Sequence, residues 1–291
     1  MKNISLSISL SFCLVTTFSC CPQAGADKKL PQNLINALLV GDLQQVKAIT
    51  SGGKYIDGQD ETGRSAIMLA TLGDNLEVVR YLGGQGADLY AKDNFEQTVL
   101  DKAVRMSSLP LVRYFVDERK MNVHAVEDKT KDLLYTATAN FHVEVIQYLI
   151  EEKGLSFDSK NRQQETLLHE AANNGNLEVM KYLVEAQKMA VNEKDEQGRT
   201  PLHKAAEKGY VKLVDYLVGV GADLSLKDHK GMTALKIAQK YDRAQVVDYL
   251  RREMSLLGRM TRFFKSTLGQ KVVLFTTLAT AYLVYRLKFA K

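Results

Sequence analysis

Thr200-Pro201-Leu202-His203-Lys204-Ala205-Ala206 has a near copy 34 residues upstream, Thr166-Leu167-Leu168-His169-Glu170-Ala171-Ala172. Working outward, the place of Thr200 recurs as Ser65, Thr98, Asp132, Thr166 and Thr233, with successive spacings of 33, 34, 34, 34 and 33 over the six. An unrelated pair keeps the same five spacings: Tyr81-Leu82, Tyr114-Phe115, Tyr148-Leu149, Tyr182-Leu183, Tyr216-Leu217 and Tyr249-Leu250. Two residue classes holding one register over about two hundred residues mark a solenoid of stacked units.

The unit can be read from its parts. Each opener is Ser, Thr or Asp, whose side-chain oxygen can accept from the free amides of a first helical turn, and Pro201 stands where a missing amide costs least. A second helix follows, with Leu177, Met180 and Leu183, or Leu213, Val214 and Leu217, forming one apolar stripe. Gly175 and Gly209 separate the two helices. Gly86-Ala87-Asp88 and Gly221-Ala222-Asp223 end the second, and a polar tip such as Lys194-Asp195-Glu196-Gln197-Gly198 leads onward. The predicted unit is helix, turn, helix, protruding turn. One such unit cannot bury its own stripe, so neighbours must cover it.

These residues resemble the ankyrin repeat, whose signature is T-P-L-H-x-A. Thr200 to Ala205 matches it throughout, and Thr166 to Ala171 departs only at Leu167. Looser copies begin at Ser65, Thr98 and Asp132, and a degenerate first unit fits Ala37, Gly41, Leu43 and Val46. The resemblance implies an all-α ankyrin-repeat solenoid of helix-turn-helix units with β-turn or hairpin tips, about seven repeats across residues 27–254.

Charge is uneven. Residues 251–291 carry nine basic groups against Glu253 alone, +8 in a chain whose total is +5, which leaves −3 for the remainder. A slightly acidic array argues against nucleic acid as partner, since phosphate binding needs clustered Lys and Arg. Cys13, Cys20 and Cys21 all precede the repeats, so the array is expected to hold no disulfide and no cysteine metal site.

Both ends read as targeting segments. Lys2, an apolar run from Ile4 to Phe18 and Ala24-Gly25-Ala26 give the order of a secretory signal over residues 1–26, cleaved after Ala26. Lipoprotein processing at Cys20 and an uncleaved anchor remain open alternatives. Residues 255–269 place Leu256, Leu257, Met260, Phe263, Phe264 and Leu268 at helical spacing among Arg259, Arg262 and Lys265, as a helix on an anionic lipid surface would. Residues 270–288 contain a charge-free run from Val272 to Tyr285, short for a span unless Lys271 and Arg286 lengthen it by snorkelling. A helix capping the last repeat is the competing reading.

No catalytic constellation emerges. His169-Glu170 starts like the zinc-protease motif H-E-x-x-H, but Asn173 holds the place of the second histidine. His169 and His203 share one register position, where the resemblance implies a histidine that holds a turn. No cofactor or metal is expected, and the expected function is non-enzymatic binding of a protein on the concave side by a monomeric array. By the resemblance, contact positions include Arg162, Gln163, Asn173 and Asn174 in the fifth repeat and Glu196, Gln197, Arg199, Glu207 and Lys208 in the sixth. The middle units depart from the pattern: Glu96, Thr130 and Gln164 replace tip glycines, and Ser107 and Phe141 replace inter-helix glycines. Phe95, Met106 and Phe141 put large apolar groups where the groove is expected, as interface anchors. The terminal segments predict an exported, membrane-tethered module, periplasmic or at the cell surface; the alternative is a soluble secreted effector of a host-associated bacterium.

Overall fold

The computed structural model describes residues 29–123 and 133–267, excepting the side chains of 256–267. The described α-helices follow one another in seven pairs, numbered below as repeats in chain order. Repeats 1 to 4 are α1 (Gln32–Val40) with α2 (Leu43–Ile49), α3 (Ala66–Leu72) with α4 (Leu76–Gly84), α5 (Val99–Arg105) with α6 (Leu109–Arg113), and α7 (Leu133–Ala139) with α8 (Val143–Gln147). Repeats 5 to 7 are α9 (Leu167–Asn174) with α10 (Leu177–Lys181), α11 (Pro201–Lys208) with α12 (Val211–Gly219), and α13 (Ala234–Lys240) with α14 (Ala244–Thr267).

The first helices stack in one layer, α1 on α3 and so on to α11 on α13, and the second helices form another. Leu167, Leu168, Ala171 and Ala172 of one layer and Val179, Met180 and Leu183 of the other have no measurable exposure. Burial of each Leu contributes about 1.5–3 kcal/mol, so stacking drives the assembly. The first unit covers its end incompletely, leaving Leu39 and Val40 exposed.

The alternation between 33 and 34 has a local cause. In repeats 3, 4 and 5 the second helix ends in a π-helical turn, Tyr114–Glu118, Tyr148–Glu152 and Tyr182–Ala186. The chain leaves these turns by bonds spanning six residues: Met121 N–H to the Phe115 carbonyl, Leu155 to Leu149 and Met189 to Leu183. In repeats 2 and 6 the same bond spans five, from Ala87 to Leu82 and from Ala222 to Leu217. One added residue, absorbed as a π-turn, lies inside each interval of 34.

The turn between helices keeps one backbone conformation whatever residue occupies it. Gly41, Asp74, Ser107, Phe141, Gly175, Gly209 and Asp242 all have φ between 55° and 85°. At Gly175 glycine is needed twice over, because a Cβ would also meet the Tyr210 ring at 2.9 Å. Phe141 holds the same left-handed geometry with a bulky side chain, at a cost of about 1–2 kcal/mol. The tip glycines behave alike: Glu96 and Gln164 have φ of 60° and 57° where Gly198 has 76°.

The helix starts correct one expectation. Thr98 and Thr233 accept from the amides of Asp101 and Lys236 at 3.4 Å, whereas the Ser65 hydroxyl is buried without a partner. At Thr166 and Thr200 the hydroxyl instead faces the Nδ1 of His169 and His203 at 2.9 Å. Of the two expected tip forms the β-turn is the one present, closed by bonds such as Gly198 N–H to the Asp195 carbonyl; the described residues contain isolated bridges, Lys29 with Gln59 and Gln59 with Ser65, and no strand.

Helix α14 runs unbroken through residues 254 and 255, where the sequence places the end of the array and the start of the basic amphipathic segment. No described helix is long and apolar enough to cross a membrane. The leader and the run from Val272 to Tyr285 lie outside the described residues, as does Asp132.

Candidate binding groove

Each described tip of repeats 2, 3, 5, 6 and 7 is built around one short polar side chain, a ladder that the sequence reading missed. Asp60 Oδ1 accepts from the amides of Thr62 and Arg64, Asp93 Oδ1 from Phe95 and Gln97, and Asn161 Oδ1 from Gln163 and Glu165. Asp195 does the same for Gln197 and Arg199, and Asp228 for Lys230 and Met232. The signal was present, since these positions keep the register of the openers. Single backbone bonds then join tip to tip, from Asn94 N–H to the Thr62 carbonyl, Glu196 to Gln163 and His229 to Gln197.

Histidine couples the tips of repeats 6 and 7 to the first helix of the preceding repeat. His169 Nε2 donates to the Arg199 carbonyl at 2.9 Å and His203 Nε2 to Met232 at 3.1 Å, while each Nδ1 accepts from the amide and hydroxyl of its opener threonine. In repeat 4 Tyr135 takes this place, its hydroxyl donating to the Glu165 carbonyl at 2.5 Å. Burial pushes both histidines below 6.5 because charging a desolvated ring is costly, so they stay neutral.

Two lysines of the first-helix layer reach the tips. Lys102 pairs with Asp93 at 2.5 Å, both side chains buried, and Lys204 pairs with Glu165 and, at 3.5 Å, with Asp195. Burial alone would raise these acids. The bonds from Lys102, Gln97 and Phe95 outweigh it at Asp93, those from Arg199, Gln197 and Lys204 at Asp195, and those from Lys204 and Asn161 at Glu165, so all three sit below the usual carboxylate range.

Between the tip of repeat 5 and helices α7 and α9 lies a hollow of about 370 Å³, lined by Tyr135, Thr136, Ala139, Asn161, Gln163 and Glu170. Gln163 and Arg162 are exposed at that tip, and Glu196 and Gln197 at the next. Lys208 is exposed at the end of α11, whereas Asn173 is half-buried and Asn174 is spent on the Glu170 carboxylate at 2.7 Å. Arg199 is less available than a contact residue should be: its guanidinium is held by Asp195 at 3.1 Å and Glu207 at 3.4 Å.

Phe95, Met106 and Phe141 are exposed by 68%, 44% and 53%. They do not form one patch. Phe95 precedes α5 and Met106 follows it, so about 10 Å of helix separates them, while Phe141 takes in repeat 4 the inter-helix place that Ser107 takes in repeat 3. Met106 and Phe141 thus mark the end of the first-helix layer opposite the tips. His142, without a metal-ligand partner in the sequence, binds the Arg105 carbonyl at 2.8 Å.

The second-helix layer is knitted on its own. Arg80 pairs with Glu118 and Arg113 with Glu152 across repeats, and the Arg113 guanidinium lies 4.4 Å above the Tyr148 ring. The tyrosine ladder donates backward: Tyr182 to Glu151 at 2.9 Å, Tyr216 to Glu185 at 3.0 Å and Tyr249 to Asp215 at 2.6 Å. Burial, then the Glu151 carboxylate, pushes the Tyr182 phenol up to about 12.

A family model of ankyrin repeats matches residues 34–127, 133–228 and 187–257. An L-asparaginase of Dirofilaria immitis is 30% identical over 82 residues, 28% of this chain and 14% of that protein. An ankyrin repeat protein of Acanthamoeba polyphaga mimivirus is 36% identical over 73 residues, 25% of this chain and 10% of that one. The matched segments therefore span a small part of these curated relatives. Among solved structures, the ankyrin repeat domain of Bcl-3, a member of the IkappaB protein family, superposes with a TM-score of 0.56 at 26% identity, covering 77% of this chain and 99% of that domain. The period, the paired helices, the threonine–histidine brackets and the family match agree: the chain belongs to the ankyrin repeat family, whose repeats are protein–protein interaction modules.

Proposed function

We propose that this protein is a non-enzymatic, exported and membrane-tethered binding module that grips a partner polypeptide along the side formed by its tips and first-helix layer. The hollow between the tip of repeat 5 and helices α7 and α9 carries the reading, because its lining comes from the tip and the first-helix layer of that side. Tight interfaces centre on aromatic and Met anchors, and Met106 and Phe141 stand exposed on the same first-helix layer, at its end away from the tips. The resemblance to part of an L-asparaginase lends no activity, since the shared segment is 14% of that enzyme. The terminal segments supply the tether: a leader-like start, and the continuous helix α14 leading into a basic apolar tail.

Two measurements test this. Capture with the full chain and with Met106→Ala/Phe141→Ala should retain a partner with the first and lose it with the second; equal retention overturns the groove. Flotation with anionic vesicles should carry the full chain and leave a chain truncated at residue 254 behind. A soluble full chain instead favours the secreted alternative, in which residues beyond 254 cap the array and their removal lowers the melting temperature.

A further inference from the structure

The register position of Glu170 is varied along the array, holding Leu69, Lys102, Thr136, Lys204 and Ile237 in the other repeats, and Glu170 is its acid. At its register position in the first-helix layer, repeats 3 and 6 carry Lys102 and Lys204, and each lysine reaches the aspartate at the root of its own tip. In repeat 5 both members have changed: the tip root is Asn161, an amide, and the helix residue is Glu170, an acid. Asn161 and Glu170 line the same hollow, so repeat 5 has a carboxylate and an amide at the positions where repeat 6 has a lysine and an aspartate. Among the described residues Glu170 has no ion pair, and its side-chain bond comes from the Asn174 amide. Lys204, whose charge Glu170 feels, is itself held by Glu165 and Asp195.

We propose that the hollow between α7, α9 and the tip of repeat 5 receives a lysine or arginine side chain of the protein partner, with Glu170 as its counter-ion. This rests on the groove reading and specifies the chemistry of its occupant. The lining suits such a side chain: Ala139 and the Tyr135 ring offer apolar wall for a methylene stem, and Thr136 and Gln163 offer oxygens around a cationic head. Charge agrees, because the chain before residue 251 is net acidic. A hard metal ion fits less well, since it needs several oxygen ligands and the nearby Glu165 is committed to Lys204. Glu170 is also held protonated to a higher pH than an exposed glutamate, because burial outweighs the Asn174 bond. An arriving cation would relieve that cost.

Random peptides displayed on phage, selected on the full chain and resynthesised, provide the probe. Selected peptides should share one Lys or Arg whose change to Gln weakens binding. Glu170→Gln, which keeps the shape and fold, should weaken the parent peptides about tenfold or more, as loss of a charged hydrogen bond does. Binding to the native chain should strengthen as pH rises through the raised Glu170 pKa, with the Gln variant showing no such rise. Asn161→Asp/Glu170→Lys rebuilds the internal pair of repeat 6 and should abolish binding; if that variant fails to fold, Glu170→Gln alone decides. Peptides that lose affinity with Phe141→Ala yet ignore Glu170 overturn this proposal and leave the groove standing. Peptides indifferent to both substitutions overturn the two together. A melting temperature raised by calcium alone in the native chain but not in Glu170→Gln assigns the hollow to a metal and also overturns it.

Discussion

Repeats 3 to 5 and repeats 6 and 7 share one backbone and reach it differently. In the sixth, Thr200-Pro201 starts the helix, His203 brackets the tip, Gly198 and Gly209 take the left-handed turns and the second helix closes in α form. In the middle, Gln164, Glu96, Ser107 and Phe141 occupy left-handed positions, Tyr135 replaces the histidine, and π-turns absorb an added residue in each unit. Local preference is satisfied in the sixth repeat and overridden at several middle positions, and Asp242 in the seventh also takes the left-handed turn without glycine. Stacking against both neighbours is therefore strong enough to impose dihedrals that the middle sequences disfavour. The same middle units carry the hollow and the exposed Phe141 of the proposed groove, so backbone strain and the proposed contact surface fall together.

The comparison can be broken hardest at the buried ion pairs. Lys102→Ala leaves Asp93 buried without its cation and should destabilise the array by about 3–5 kcal/mol, read from urea unfolding. Lys204→Ala strands both Glu165 and Asp195, but Asp195 retains Arg199, so its loss should be the smaller of the two. A larger loss at Lys204 would mean that the sixth repeat is the more dependent on its charge network.

Exchanging the turn residues comes next. Gly209→Phe combines a left-handed bulky residue with a Cβ 2.8 Å from the Arg243 side chain, and should cost about 2 kcal/mol or more. Phe141→Gly runs the other way and should stabilise by about 1 kcal/mol, seen as a raised melting temperature, while partner binding falls. A destabilised Phe141→Gly would show that the ring packs, and would remove strain from the comparison.

Acid should separate the regions further. His169 and His203 have folded pKa values below 6.5, so the unfolded chain binds more protons as pH falls past that value, and stability declines from there down toward the folded pKa. The aspartate and glutamate pairs add their loss only at lower pH, below the unfolded carboxylate values of 3.8 and 4.5. Hydrogen exchange should therefore show repeats 5 and 6 losing protection first, and His169→Gln/His203→Gln should flatten the upper part of that decline. Uniform loss across the array would make the histidines passive. The smallest effect belongs to the second-helix layer, where Tyr216→Phe removes one bond to Glu185 and should cost about 0.5–1.5 kcal/mol.

Much of this was legible in residues. The paired helices follow from Thr200 to Ala206 and its copies, because capping, apolar spacing and helix ends are local properties, while the turn-holding histidines came through the resemblance. The tip positions that the resemblance names, Arg162, Gln163, Glu196 and Gln197, are exposed. The engagement of Arg199 by Asp195 and Glu207 was not legible, since it depends on where a tip folds against its own helix. Nor was the tip ladder of Asp60, Asp93, Asn161, Asp195 and Asp228 noticed, though its spacing was available.

The sequence by itself determined the repeat, its two helices and the direction of burial, since each depends on residues a few positions apart. Tertiary structure alone decided why 33 becomes 34, which residues accept left-handed angles and which carboxylate lacks a cation. The first two are set by backbone turns inside a unit that stacking holds in place, and the last by pairing across units, as Lys204 pairs with Glu165, so spacing along the chain does not reveal them.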